Sequence, residues 1–152
     1  MPMLLEWPEH LRWKMRRKLW KAGSREIGGV LMGEQIERGH FRIVDFSVDE
    51  NSGGISHFER RPEHHREALE AFFSRTGDDF SRYNYLGEWH SHPRFAAQPS
   101  ATDIGEMLTL VEDEPDIDFS VLLIVRTFWR FKLAYSAMLF QRGGFVEEVK
   151  FV

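Results

Sequence analysis

The stretch Tyr83-Asn84-Tyr85-Leu86-Gly87-Glu88-Trp89-His90-Ser91-His92-Pro93, followed by Ser100-Ala101-Thr102-Asp103, decides how this sequence reads. Tyr83 to His90 has the aromatic content of a strand. In extended chain residues i and i+2 share a face, so His90 and His92 bring two imidazoles to one point while Trp89 and Ser91 face the other way. Pro93 and Pro99 flank a loop, and Ala101 to Glu112 is expected to be a helix because Ile104, Met107, Leu108 and Val111 recur at helical spacing. Ser100 and Asp103 stand three apart on its first turn, where they also read as a capping box. A loop of this length is able to fold that turn back over the histidines. That would give a His90, His92, Asp103 site with a tetrahedral position left for water, the mark of a catalytic rather than a structural zinc.

Working outward, Pro8 and Gly23 bracket an amphipathic helix whose inner stripe is Leu11, Met15 and Leu19. Its many cations, Arg12, Lys14, Arg16, Arg17, Lys18 and Lys21, read as a solvated face. Glu26 to Glu34 and Phe41 to Val48 form a predicted hairpin across Gly39. Asp49 to Pro62 reads as a long polar loop suited to specificity, and a helix runs from Pro62 through Ser74 until Gly77 and Asp78 break it. After the third helix, Asp118 to Val125 is apolar throughout, as a central strand would be, and Arg130 to Phe140 and Phe145 to Phe151 are two further strands around Gly143 and Gly144. The order αββαβαβββ is that of an α/β fold, a mixed sheet flanked by helices.

The chain has 152 residues, a 42% hydrophobic fraction and no repeat or linker, so residues 1–152 are expected to form one domain. With no cysteine, disulfides, thiol nucleophiles and thiolate metal sites are excluded, and any metal must be held by His, Asp or Glu. A net charge of -4 offers no global attraction to nucleic acid or anionic lipid. The absence of a leader-like or membrane-length apolar run leads to the expectation of a cytoplasmic protein without nucleic-acid or membrane partners.

A peptidase built on zinc also needs a carboxylate that takes a proton from water and passes it to the leaving amine. Glu26, Glu34, Glu59 and Glu88 are candidates by composition. Glu26 is favoured because it precedes Ile27-Gly28-Gly29-Val30-Leu31-Met32-Gly33, where a carboxylate on an edge strand beside small residues would reach a pocket. Other zinc patterns fail: no His-Glu-x-x-His helix is present, and His57-Phe58-Glu59 lacks the cysteines of a nucleobase deaminase. His57 and Phe58 are read as loop residues with substrate contact as the alternative, and Trp7, Trp13, Trp20, Trp89 and Trp129 as core filling.

Glu26, then His90-Ser91-His92, then seven residues, then Ser100-Ala101-Thr102-Asp103 resembles the JAMM motif of the JAB/MPN metallopeptidase family, with no departure at the five motif positions. The resemblance implies a cytidine-deaminase-like (MPN) fold, Zn2+ on His90, His92 and Asp103, and Glu26 as acid/base. It further implies that Ser100 stabilises the tetrahedral intermediate, and that the reaction is cleavage of a peptide or isopeptide bond after the C-terminal tail of a ubiquitin-like protein or its conjugate. Only 49 residues follow Asp103, leaving little room for a further insertion. This favours a small prokaryotic deconjugase like those encoded beside E1-like and E2-like proteins in antiphage (CBASS) or ubiquitination-like operons. Sulfur-carrier processing, another tail peptidase and a non-catalytic MPN scaffold remain as alternatives.

Overall fold

The computed structural model describes residues 2–49 and 62–152, with backbone only for 62–65. Its elements are β1 (Leu4–Glu6), α1 (Glu9–Ala22), β2 (Gly28–Glu37), β3 (His40–Phe46), α2 (Pro62–Arg75), β4 (Tyr83–Ser91), α3 (Ala101–Asp113), β5 (Phe119–Phe128), β6 (Lys132–Gln141), β7 (Phe145–Glu148) and β8 (Lys150–Phe151), with a 3-10 turn, Trp129–Phe131, between β5 and β6. The strands form one mixed sheet in the order β7-β6-β5-β4-β2-β3-β1-β8. No described helix is long and apolar enough to cross a membrane.

Alternation along the strands sends side chains to two faces. One face packs against α1, where Leu11, Met15 and Leu19 meet Leu5, Ile27, Leu31, Trp89, Leu123 and Val125 in the largest core. The other carries α3 on Leu122, Ile124 and Phe140 through Met107 and Val111, and α2 on Val30 and Met32 through Phe72. Residues 121–125 of β5 are therefore buried on both faces, which is why this strand reads as a continuous apolar run.

The structure differs from the sequence expectation at four places. β1 was absent from the expected order; three residues show no periodicity, and this strand exists because β3 and β8 flank it, both parallel. The expected strand Phe145 to Phe151 divides at Val149: β7 pairs with β6, β8 pairs with β1, the Val149 N–H donates to Ala137 O and the Lys150 N–H to Met3 O. The sheet thus curls until its two edges meet across one residue. β2 is interior, between β4 and β3, and starts at Gly28, so Glu26 precedes a central strand rather than lying on an edge strand. Finally, Trp7 and Trp89 are core residues, but Trp13, Trp20 and Trp129 are 55%, 66% and 66% exposed. The expected loop from Asp49 to Pro62, with His57, Phe58 and Glu59, lies outside the described residues except at its two ends, where Asp49 bridges Gly28 and Pro62 opens α2.

Candidate active site

The site forms where β4 ends beside the start of β2. Gly28 pairs with His90 across the antiparallel β2–β4 ladder, and His90 and Ser91 pair with Ile124 and Val125 of β5. The register continues one residue past the strand, since the His92 N–H donates to Val125 O at 2.9 Å. Ser91 ties this segment to the residue after Glu26: the Ile27 N–H donates to Ser91 Oγ at 3.0 Å and the Ser91 N–H to Ile27 O at 2.9 Å. Extended geometry then puts Glu26, His90 and His92 on one face, and one ligand atom from each lies within 4.8 Å of the others. All three are at most 9% exposed.

Asp103 arrives from α3. The Asp103 N–H donates to Ser100 Oγ at 3.1 Å and the Ser100 N–H donates to Asp103 Oδ2 at 2.7 Å, so the capping box expected from sequence is present. The same carboxylate bridges both histidines, with Oδ1 3.2 Å from His90 Nε2 and Oδ2 3.3 Å from His92 Nε2. Capping and ligand presentation are thus one arrangement, because the cap fixes the carboxylate that faces the imidazoles. Ser100 is exposed on the same cleft. Its oxygen accepts the Asp103 N–H, which leaves its own hydrogen to donate.

The sequence reading left Glu34, Glu59 and Glu88 beside Glu26. Glu34 is removed by distance, because it lies six residues along β2 from Gly28, about 20 Å, where Arg42 and Arg82 bind its carboxylate at 3.2 and 2.6 Å. Glu88 lines the cleft with the site, and Glu59 lies outside the described residues. The structure also reveals partners that no motif signals. His92 Nδ1 lies 3.1 Å from Ala96 O; a carbonyl only accepts, so Nδ1 carries the proton and Nε2 is the atom turned to the site. The Phe95 ring meets the His92 ring edge-on, centroids 6.0 Å apart. Backbone carbonyls leave no trace in a side-chain pattern.

Residues 8–134 match the family described as prokaryotic homologs of the JAB domain. The chain belongs to this family. Two relatives named CD-NTase/cGAS isopeptidase are similar to this JAB chain: one from Vibrio cholerae, 35% identical over 111 residues, and one from Escherichia coli, 31% identical over 98 residues. The matches cover 68% and 62% of the JAB chain and 65% and 60% of the relatives, so the chain spans less than two thirds of their lengths. Among solved structures, protein DSY2949 from Desulfitobacterium hafniense superposes with a TM-score of 0.71 at 20% identity, covering 97% of this chain and 91% of that one. A Salinibacter ruber protein gives 0.53 at 18% identity, covering 95% and 90%. At these identities the likeness is one of fold.

The JAB site is electrostatically paired without a metal. Burial works to raise the Asp103 pKa, but hydrogen bonds from His90 and His92 outweigh it and hold the carboxyl far below the usual carboxylate range. The hydrogen bond to Asp103 is the main influence raising the His92 pKa; burial opposes it, and the Ala96 carbonyl adds to it. The pairing with Asp103 thus favours the protonated form of His92, and a cation entering the site would compete with the proton on Nε2. Two imidazole nitrogens with one or two carboxylates, and no thiolate, form the donor set of an open zinc site.

Proposed function

We propose that this JAB chain is a zinc-dependent isopeptidase that cleaves the peptide or isopeptide bond following the C-terminal tail of a ubiquitin-like protein. The observation that supports it most is the meeting of Glu26, His90, His92 and Asp103 from three separate elements at one buried point. The two relatives named isopeptidases support the reaction class, and their printed names suggest a CD-NTase conjugate as substrate.

His90, His92 and Asp103 would hold the ion, with Nε2 of His92 presented by the Ala96 carbonyl. Bound zinc supplies Lewis acidity, polarising the scissile carbonyl and lowering the pKa of water. Glu26 takes the water's proton and delivers it to the departing amine, for which its burial beside the histidines is suited. The Ser100 hydroxyl donates to the oxygen that becomes negative in the transition state.

The same three ligand atoms that place Glu26 near the histidines also permit a second arrangement, in which Glu26 is itself a ligand. Asp103 is favoured as the ligand because its two oxygens already address both Nε2 atoms.

The reading is tested by incubating the zinc-loaded protein with a C-terminally extended ubiquitin-like protein and with a ubiquitin-like protein joined to a CD-NTase. Cleavage after the tail, abolished by a chelator and restored by zinc, is the expected result. Cleavage that persists in chelator sinks the proposal.

Zinc affinity should also depend on pH. The raised His92 pKa contributes stability to the metal-free fold that is complete below about pH 6.5 and lost as pH rises through the folded value. The lowered Asp103 pKa contributes stability that is complete above about pH 3.8 and lost only as pH falls through its folded value. The stabilisation from the bridge is therefore complete between about pH 4 and 6.5, and there the bridge competes most with zinc. Competition titration should show binding about tenfold weaker at pH 6 than at pH 7.5; equal affinities would show that the His92 proton is not displaced.

A further inference from the structure

Three of the five tryptophans are more than half exposed, two on α1 and one in the turn between β5 and β6. Trp13, Arg16, Arg17 and Trp20 follow i, i+3, i+4, i+7 spacing along the outer side of α1, opposite its buried stripe of Leu11, Met15 and Leu19. Trp20 meets Phe131 edge-on with ring centroids 6.3 Å apart, which joins the helix to the turn between β5 and β6. In that turn Phe128, Trp129 and Phe131 are 47%, 66% and 51% exposed, and Arg130 and Phe131 both have positive φ, 58° and 59°. Two consecutive non-glycine residues in the left-handed region are strained, and strain of this kind persists where an exposed conformation has a use. Cations cover the rings: Arg16 lies 4.9 Å from the Trp13 ring centroid, Arg130 4.4 Å and Lys132 5.7 Å from that of Trp129.

We propose that this surface docks an acidic face of the protein to which the ubiquitin-like tail is joined, and so selects the conjugate; the inference rests on the isopeptidase reading. Charge decides the occupant. The chain is acidic at -4, and the described cleft at the metal site is lined by Glu26, Glu88, Asp103, Glu106, Asp113 and Glu114 with no Lys or Arg. The aromatic surface instead carries Arg16, Arg17, Lys21, Arg130 and Lys132. A symmetric dimer through it would set these cations against their own copies, and its pairing with the acidic cleft of another copy would bury the active site in an unclosed chain of molecules. Nucleic acid stacks on open ring faces, whereas here guanidinium and ammonium groups lie over the Trp13 and Trp129 rings. Exposed Trp interleaved with Arg is the composition of a protein-binding hot spot.

Position fits this role. Only residues 23–25 separate α1 from Glu26, so the helix end lies within about 14 Å of the site residue along the chain. The β5–β6 turn extends from the same end of the sheet, since Ile124 pairs with His90 and the turn begins five residues later. Because α1 and α3 lie on opposite faces of the sheet, a folded protein attached to a tail in the cleft would meet the surface around this shared end, where Trp20 and the turn lie.

The test compares wild type with Trp20→Ala/Arg17→Glu on two substrates that share the scissile amide. These are a ubiquitin-like protein joined to a CD-NTase, and the same ubiquitin-like protein carrying a small aminocoumarin amide. Expected is a KM about thirtyfold higher for the conjugate, with unchanged kcat and with both constants unchanged for the aminocoumarin substrate. Equal effects on both substrates, or none on either, would overturn the docking surface. If the wild type cleaves neither, the isopeptidase reading fails, and docking is then decided by anisotropy titration of the CD-NTase conjugate against metal-free protein. Binding that weakens in the variant supports the surface, and identical binding overturns it. Loss confined to phosphatidylserine vesicles or oligothymidylate also overturns it, in favour of a membrane or single-strand site.

Discussion

Glu26→Gln should lower kcat by about 10²- to 10⁴-fold, the range removed with a general acid/base, while the protein still binds one zinc ion and keeps its unfolding midpoint. Glutamine preserves the shape of this buried side chain but can neither accept the proton from water nor return it to the amine. Asp103→Asn should behave in the opposite way, since the amide replaces the carboxylate that faces both Nε2 atoms, and zinc should leave before any catalytic step is reached. Measuring zinc per chain by atomic emission beside kcat for the two variants separates the roles. A Glu26→Gln protein that purifies without zinc, with an Asp103→Asn protein that retains it, would make Glu26 the ligand and require a different acid/base.

Gly87→Ala should destabilise the fold by about 3 kcal/mol or more, at or beyond the usual cost of overpacking. A Cβ at Gly87 would stand 1.9 Å from the backbone oxygen of Val121, its partner in the parallel β4–β5 ladder. No rotamer relieves a contact between backbone and Cβ, so the two strands must part three residues before His90. Urea unfolding should show a lower midpoint, and zinc binding should weaken with it. Gly105→Ala is the control: its added methyl meets nothing within 4 Å on the exposed side of α3, and a stabilisation of roughly 0.5–1 kcal/mol is expected for glycine to alanine inside a helix. A Gly87→Ala protein with unchanged midpoint would show that β4 and β5 are not held this tightly.

Much of the site was legible because its geometry is local. His90 and His92 share a face by the two-residue period of a strand, and Ser100 and Asp103 share a turn by the helical one, so each pair could be placed from spacing alone. What joins the pairs is not local. Choosing Glu26 over Glu34 from the residues required knowing that β2 runs antiparallel to β4 with Gly28 opposite His90, a register set by packing rather than by either strand's own sequence. The same limit explains the exposed tryptophans. Trp13 and Trp20 fall on the outer stripe by simple helical phase, yet large apolar size argued for burial, and only the packed helix shows that Leu11, Met15 and Leu19 already fill its inner side. β1 escaped detection, and β8 was read as one strand with β7, because strands of three and two residues have no period to read; each is a separate strand only through its neighbours.

The pairing of Leu4 with Lys150 and of Leu5 with Phe151 has a consequence for how the molecule assembles. These contacts span nearly the whole chain, so the loop they close is among the entropically most expensive in the fold, and they reward the chain only once β3 and β6 are in place. The seam at Val149 should therefore close last during folding and open first in native-state hydrogen exchange. The β2–β4–β5 strands that position the candidate site residues would remain protected until global unfolding. The protein would keep the proposed metal site on the slowest-opening part of the sheet and its breathing motion at the seam between the sheet edges.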